Sequence, residues 1–198
     1  MNLPRHGRFC LRCDMPQGGG PGASTAGLMA RARAAGASDT ALITDACLAI
    51  EGASDPLLVS HAERILWASR QGQVLTQMPA LPRYDIIGGF SGPGQRTDPQ
   101  DHDFPHISDL VTAWQSAASL ADFAGLANQS AQRTLALRGP KADLTAALAG
   151  DLGALGHVIA HTGSARGLIF APGSVPETAS GDLRRAGFSR ITRWRGGG

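Results

Sequence analysis

The chain reads as an α+β protein, on three observations. A glycine-rich turn runs straight into alanine-rich helix in "MPQGGGPGASTAGLMARARAA", Met15 to Ala35. Helix-length segments in the middle carry apolar stripes at three- and four-residue spacing. The end of the chain reads strand, turn, strand, helix, strand. A sheet backed by helices satisfies that order.

The first helix spans Ser24 to about Ala35 and stops at Gly36. Asp39 caps a second, "TALITDACLAIEG", with Leu42, Ala46, Ala49 and Ile50 as its expected apolar face. "RILWAS" and "QVLTQM" form a hairpin through Arg70, Gln71 and Gly72. In "YDIIGGF" the paired glycines point to a bulge or a close backbone approach. "SGPGQRTDPQDHDFP" is a loop. Ile107, Leu110, Val111 and Trp114 stripe the next helix; Leu120, Phe123, Ala127, Ala131 and Leu135 stripe the one after. A third carries Leu144, Leu148 and Leu152. "HVIAHTG", "ARGLIFAPG" and "SRITRWR" are the closing strands, with a helix in "PETASGDLRRAG".

Composition narrows the function. The 198 residues are 42% hydrophobic and only 17% charged, with 26 Gly and 12 Pro. A net charge of +2 is too small to argue for nucleic acid. The basic residues are 17 Arg and the single Lys141. They cluster only in "RRAGFSRITRWRGGG", where Arg190, Thr192 and Trp194 alternate with Ser189, Ile191 and Arg193. That segment reads as a solvated terminal strand, with an anion or RNA patch as the alternative. No apolar run reaches membrane-spanning length and "MNLPRHGRFC" lacks a signal-peptide core, so a cytoplasmic location is expected. Cys10 and Cys13, with His6 nearby and Cys47 distant, supply no second metal-ligand pair. "DPQDHDFPH" gathers Asp98, Asp101, His102, Asp103 and His106, acidic residues of the kind that helix starts prefer.

Chemistry concentrates where the glycines meet the first helix. A helix N-terminus presents N–H groups without intrahelical acceptors and the positive end of the peptide dipoles. Glycines let a ligand approach the backbone closely, so Gly18, Gly19, Gly20, Gly22, Ala23, Ser24 and Thr25 form a candidate anion cradle. The plain alternative is a surface turn with a serine cap. A Walker A loop is excluded, because no Lys follows the last glycine.

"PQGGGPGASTA" fits the pattern P-x-x-x-G-x-G-[AS]-S-[ST]-A through Pro16, Gly20, Gly22, Ser24 and Ala26. It is similar to the phosphate loop of the GHMP kinases, small-molecule kinases named for galactose, homoserine, mevalonate and phosphomevalonate. Three further runs follow in order: Ala49-Ile50-Glu51 with Asp55, Asn128-Gln129, and His161-Thr162-Gly163 through Gly167-Leu168-Ile169-Phe170. Together they resemble the branch containing the L-threonine kinases of cobalamin assembly and propanediol utilisation.

The resemblance implies ATP and Mg²⁺ as cofactors and a small hydroxylated metabolite as substrate, with no nucleic acid and no membrane. Gly18 to Ala26 would wrap the phosphates. Ser24 would face phosphate or Mg²⁺, Glu51 would complete the metal shell, and Asp55 would orient or deprotonate the acceptor hydroxyl. Thr162, Gly163, Ser164 and Arg166 would lie against the acceptor, with Arg96 a comparable loop arginine. The implied architecture is an irregular start over 1–14, a remnant of the nucleotide-binding domain over 15–90, and a ferredoxin-like domain over 91–198. Pro21 and Ala23 depart from the family pattern, removing an N–H and a hydroxyl. Only fourteen residues precede Met15, so the chain reads as a kinase lacking its first part. A homodimer or partner chain is then expected to cover exposed sheet edges. The alternative is a non-catalytic domain that binds a nucleotide or metabolite.

Overall fold

The computed structural model describes residues 8, 10–95, 98 and 100–198; His6 and Arg96 lie outside them. It is an α+β arrangement with a two-stranded and a four-stranded antiparallel sheet. Among the described residues, no helix is long and apolar enough to cross a membrane.

α1 (Ala23–Ala34) and α2 (Thr40–Glu51) pack as a pair around Met29, Ala37, Ile43 and Cys47. Asp39 starts α2 as expected, accepting from the N–H groups of Ala41 and Leu42 at 2.9 and 3.2 Å. The inward face differs from the expected one. Ile43 and Cys47 are buried, whereas Leu42 and Ile50 are exposed, Ile50 to 64%. "LITDACLAI" is apolar around most of its circumference, so periodicity leaves two faces open. Contact with α1 selects between them.

The hairpin of β1 (Ile65–Ala68) and β2 (Gln73–Gln77) turns through Gly72 at φ 64°. It is tied to the α2–β1 connection, where the Trp67 indole N–H donates to the Ser54 carbonyl at 2.6 Å. Ser54 N–H donates to the Ser69 carbonyl at 2.8 Å. Asp55 therefore sits on a loop held from both sides.

The larger sheet has the order β4-β5-β3-β6. Its strands are β3 (Tyr84–Phe90), β4 (Gly156–Ile159), β5 (Ala165–Phe170) and β6 (Ser189–Gly196). Between β3 and β4 lie α3 (Ser108–Ser116), α4 (Leu120–Arg138) and α5 (Thr145–Asp151); α6 (Ala179–Arg185) connects β5 to β6. This is the strand order of a split β-α-β unit. β3 lies between β5 and β6, so the sheet begins before residue 91, inside the stretch assigned to the earlier segment. Helices cover both faces. α4 packs Ala124 against Ile86 and Ile169, while α5 and α6 pack Ala149, Ala179 and Leu183 against Ile87, Leu168 and Phe170.

Both signals of the paired glycines are realised. A Cβ on Gly88 would overlap the Arg166 carbonyl oxygen, and one on Gly89 would lie 2.6 Å from that of Ser189. The β3–β6 register also shifts between Gly88 and Phe90. α4 opens with a capping box between Ser119 and Asp122. Its buried side chains are Phe123, Ala124, Ala131 and Thr134, a stripe rotated slightly from the expected one. α5 buries Thr145 and Ala149, leaving Leu144 49% exposed. The helix is too short to bring all three leucines inward.

Leu168 is fully buried at the centre of the larger core. Leu168→Ala should cost about 2–5 kcal/mol in chemical denaturation, and Ile50→Ala under about 0.5 kcal/mol.

Candidate functional site

Gly18, Gly20 and Gly22 all take left-handed backbone conformations, with φ of 69°, 100° and 74°. Gly22 immediately precedes α1, and the first helical bond runs from Ala26 N–H to its carbonyl at 2.9 Å. Gly22 at the N-cap has no side chain to cap this end, and the first turn holds no acid. The N–H groups of Ala23, Ser24 and Thr25 therefore precede the intrahelical ladder at the positive pole of a twelve-residue helix.

The second glycine turn presses against this loop. Ala165 N–H donates to the Gly19 carbonyl at 2.8 Å, and Gln95 N–H to that of Gly18 at 2.8 Å. Gly163, at φ 101°, approaches so closely that a Cβ there would lie 2.5 Å from the carbonyl oxygens of Gly18 and Gly19. A Cβ on Gly20 would overlap the Thr162 carbonyl oxygen. Buried Gly19 lies under the Phe90 ring at the end of β3. Two turns some 140 residues apart thus share one backbone-to-backbone contact, and only glycine permits it.

Two carboxylates stand at the mouth of the cradle. Exposed Ser24 donates its hydroxyl to Glu51 Oε1, where α2 ends. Thr25 is buried and engaged in both directions: its hydroxyl donates to Asp55 Oδ2 at 3.2 Å and accepts from Asp55 N–H at 3.3 Å. Of the two hydroxyls, Ser24 faces outward and Thr25 fastens the loop. Burial pushes the Asp55 carboxyl above its ordinary pKa; the Thr25 hydrogen bond opposes this, and the Glu51 charge adds to it.

Ser24 and Glu51 fit a magnesium ion in donor chemistry, both offering hard oxygen. Among the described residues no group of three metal-ligating side chains occurs, so phosphate oxygens and water would fill the remaining positions.

Arg166 departs from its expected role. Its Nε lies 2.7 Å from Asp143 Oδ2, both side chains being only 4% exposed. Its Nη1 donates to the carbonyls of Gly163 and Ala165 at 3.1 and 2.9 Å. A guanidinium buried in low dielectric must be paired, so Arg166 props the glycine turn from beneath and does not reach toward a ligand. Ser164 is also turned inward, 3% exposed, its hydroxyl without a hydrogen-bond partner among the described residues. Thr162 and Gly163 are the members of that set that reach the loop.

Three features escaped the sequence reading: the Asp143–Arg166 pair, buried His157, and Asp85, fully buried in β3. Arg166 in "ARGLIF" and Asp85 in "YDIIGGF" are charges within apolar strands, a pattern that demands a partner elsewhere. In the acidic loop, Asp101 forms an ion pair with Arg138. Asn128 Oδ1 is buried without a partner among the described residues, whereas Gln129 is exposed.

No family model and no curated protein matches the chain.

Gly20→Ala should separate the two turns, through a positive φ and the Thr162 carbonyl together. Hydrogen exchange should report faster exchange at Ala165 N–H. Burial holds His157 below the ordinary imidazole pKa, so the unfolded chain binds a proton the folded one excludes. Stability is then full above about pH 6.5 and declines as pH falls through the folded-state value. Raised Asp55 acts in the opposite sense, so a variant is needed to separate them. His157→Gln should flatten the loss of urea stability between about pH 7.5 and about pH 5.5.

Proposed function

We propose that the chain is an ATP-dependent small-molecule kinase of the GHMP type, moving the γ-phosphoryl group to a hydroxyl of a small metabolite, with L-threonine the first acceptor to try. The observation that carries this reading is the uncapped start of α1 held against the second glycine turn. Phosphoryl transfer needs mainly positioning and neutralisation of charge, and backbone N–H groups at a helix start supply both. When bound, Mg²⁺ would neutralise charge on the phosphates. Ser24 and Glu51 would hold it.

The two carboxylates give this cradle a particular electrostatic requirement. Glu51 and Asp55 repel a bare polyphosphate, so ATP binding needs a cation between them. Asp55, its pKa raised by burial, serves as the group that accepts the acceptor's proton. Thr25 fixes the orientation of that carboxylate.

A second reading rests on Arg166. With its guanidinium paired to Asp143, Arg166 is committed to the fold and is not available to a transferring phosphate. A domain that binds Mg–ATP or a metabolite without turnover accounts for this.

Calorimetry should show ATP binding with magnesium and none without it. Glu51→Gln should raise the magnesium requirement by about tenfold. Ser24→Ala should lower turnover about tenfold or more, and Asp55→Asn about a hundredfold or more, with Mg–ATP affinity retained by the latter. Binding without turnover for any hydroxyl acceptor selects the second reading; no binding removes both.

A further inference from the structure

The arginine-rich end of the chain is not used by the glycine cradle. It forms a separate cavity of about 510 Å³ at the other end of β3, lined by Arg83, Tyr84, Asp85, Gly173, Arg195 and Gly196 among others. β3 begins here and ends against Gly19, so six strand steps, about 20 Å, separate the two places.

Asp85 organises the cavity. It is 0% exposed, and its carboxylate accepts from Gly173 N–H at 2.9 Å, Arg193 Nη2 at 3.0 Å and Arg195 Nε at 3.2 Å. The Gly173 N–H and the Arg193 guanidinium hold that carboxyl below its ordinary pKa, so it stays charged. One carboxylate shared by two guanidiniums leaves a surplus of positive charge, and Arg83 adds to it on the cavity wall. The Arg195 side chain is 79% exposed although its Nε is bound, so its terminal amino groups face outward from a fixed base.

We propose that this cavity binds a small molecule bearing a multiply charged oxyanion, a phosphate ester or a polycarboxylate, held by Arg195 and Arg83. Planar guanidiniums match phosphate and carboxylate oxygens in pairs. A cavity of this volume takes a metabolite-sized ligand. A single-stranded RNA would need arginines and aromatics along one surface. Strand alternation instead puts Trp194, opposite Ile86, on the other face from Arg193 and Arg195. The site does not depend on the cradle's binding a nucleotide.

The test is a titration of the ¹⁵N-labelled full chain with inorganic phosphate, and separately citrate, at low ionic strength. The expected result is saturable shifts at Gly173, Gly196 and Gly197 N–H and at Arg195 Nε–H. Preference between the two probes tells phosphate from carboxylate chemistry. Arg83→Gln should weaken binding about tenfold, and Arg83→Lys should restore part of it. Amides of Gly18 to Thr25 report the cradle independently. Shifts confined to those amides, or identical affinities in wild type and Arg83→Gln, overturn the proposal. So does a response at these positions to a single-stranded RNA but to neither small anion.

Discussion

The contact of one glycine turn with another holds the rest of the candidate site in place. The Gly19 carbonyl accepts from Ala165 N–H while Gly163 and Gly20 bring their backbones against the opposing chain. Backbone hydrogen bonds tie this loop to β5 and to Gln95, and the Phe90 ring packs against it. A start-of-helix cradle on a free loop would lose entropy on closing around a ligand. Here that ordering is built into the fold. The catalytic reading depends on this rigidity, because phosphoryl transfer is chiefly a matter of placement.

Buried charge plays a second, supporting part. Arg166 with Asp143 sits directly beneath the glycine turn, and Asp85 with its two arginines sits at the far end of the same sheet. Breaking such a pair by removing one partner is more damaging than never having had it. These groups therefore act as fixed points, one under each region of chemical interest. The structure puts charge inside the sheet where backbone or side chains must keep one orientation.

Local rules made much of this legible. Asp39 as a cap, Gly72 in the hairpin, the Gly88-Gly89 close approach and the closing strands all follow from residue type and spacing. The meeting of the two glycine turns came from resemblance; nothing in their spacing along the chain implies it. Which face of α2 turns inward could not be read, since Leu42 and Ile43 are equally apolar and only the partner helix distinguishes them. Arg166 misled because an arginine in a turn reads as exposed, whereas its fate was decided by Asp143, more than twenty residues away. Ser24 and Thr25 both offer a hydroxyl at the helix start, and tertiary burial assigns the first to solvent and the second to Asp55. Long-range pairing is where pattern reading ends.

The packing of α1 on α2 leaves Cys47 sealed in their seam, its thiol pKa raised by burial and by the charges of Glu51 and Asp55. Cys10 and Cys13 lie at the surface. An alkylating reagent would label the outer pair at once and reach the inner sulfur only when the two helices part. The chain thus carries its own clock for the breathing of the segment that begins at Gly22, readable by mass spectrometry without any engineered label.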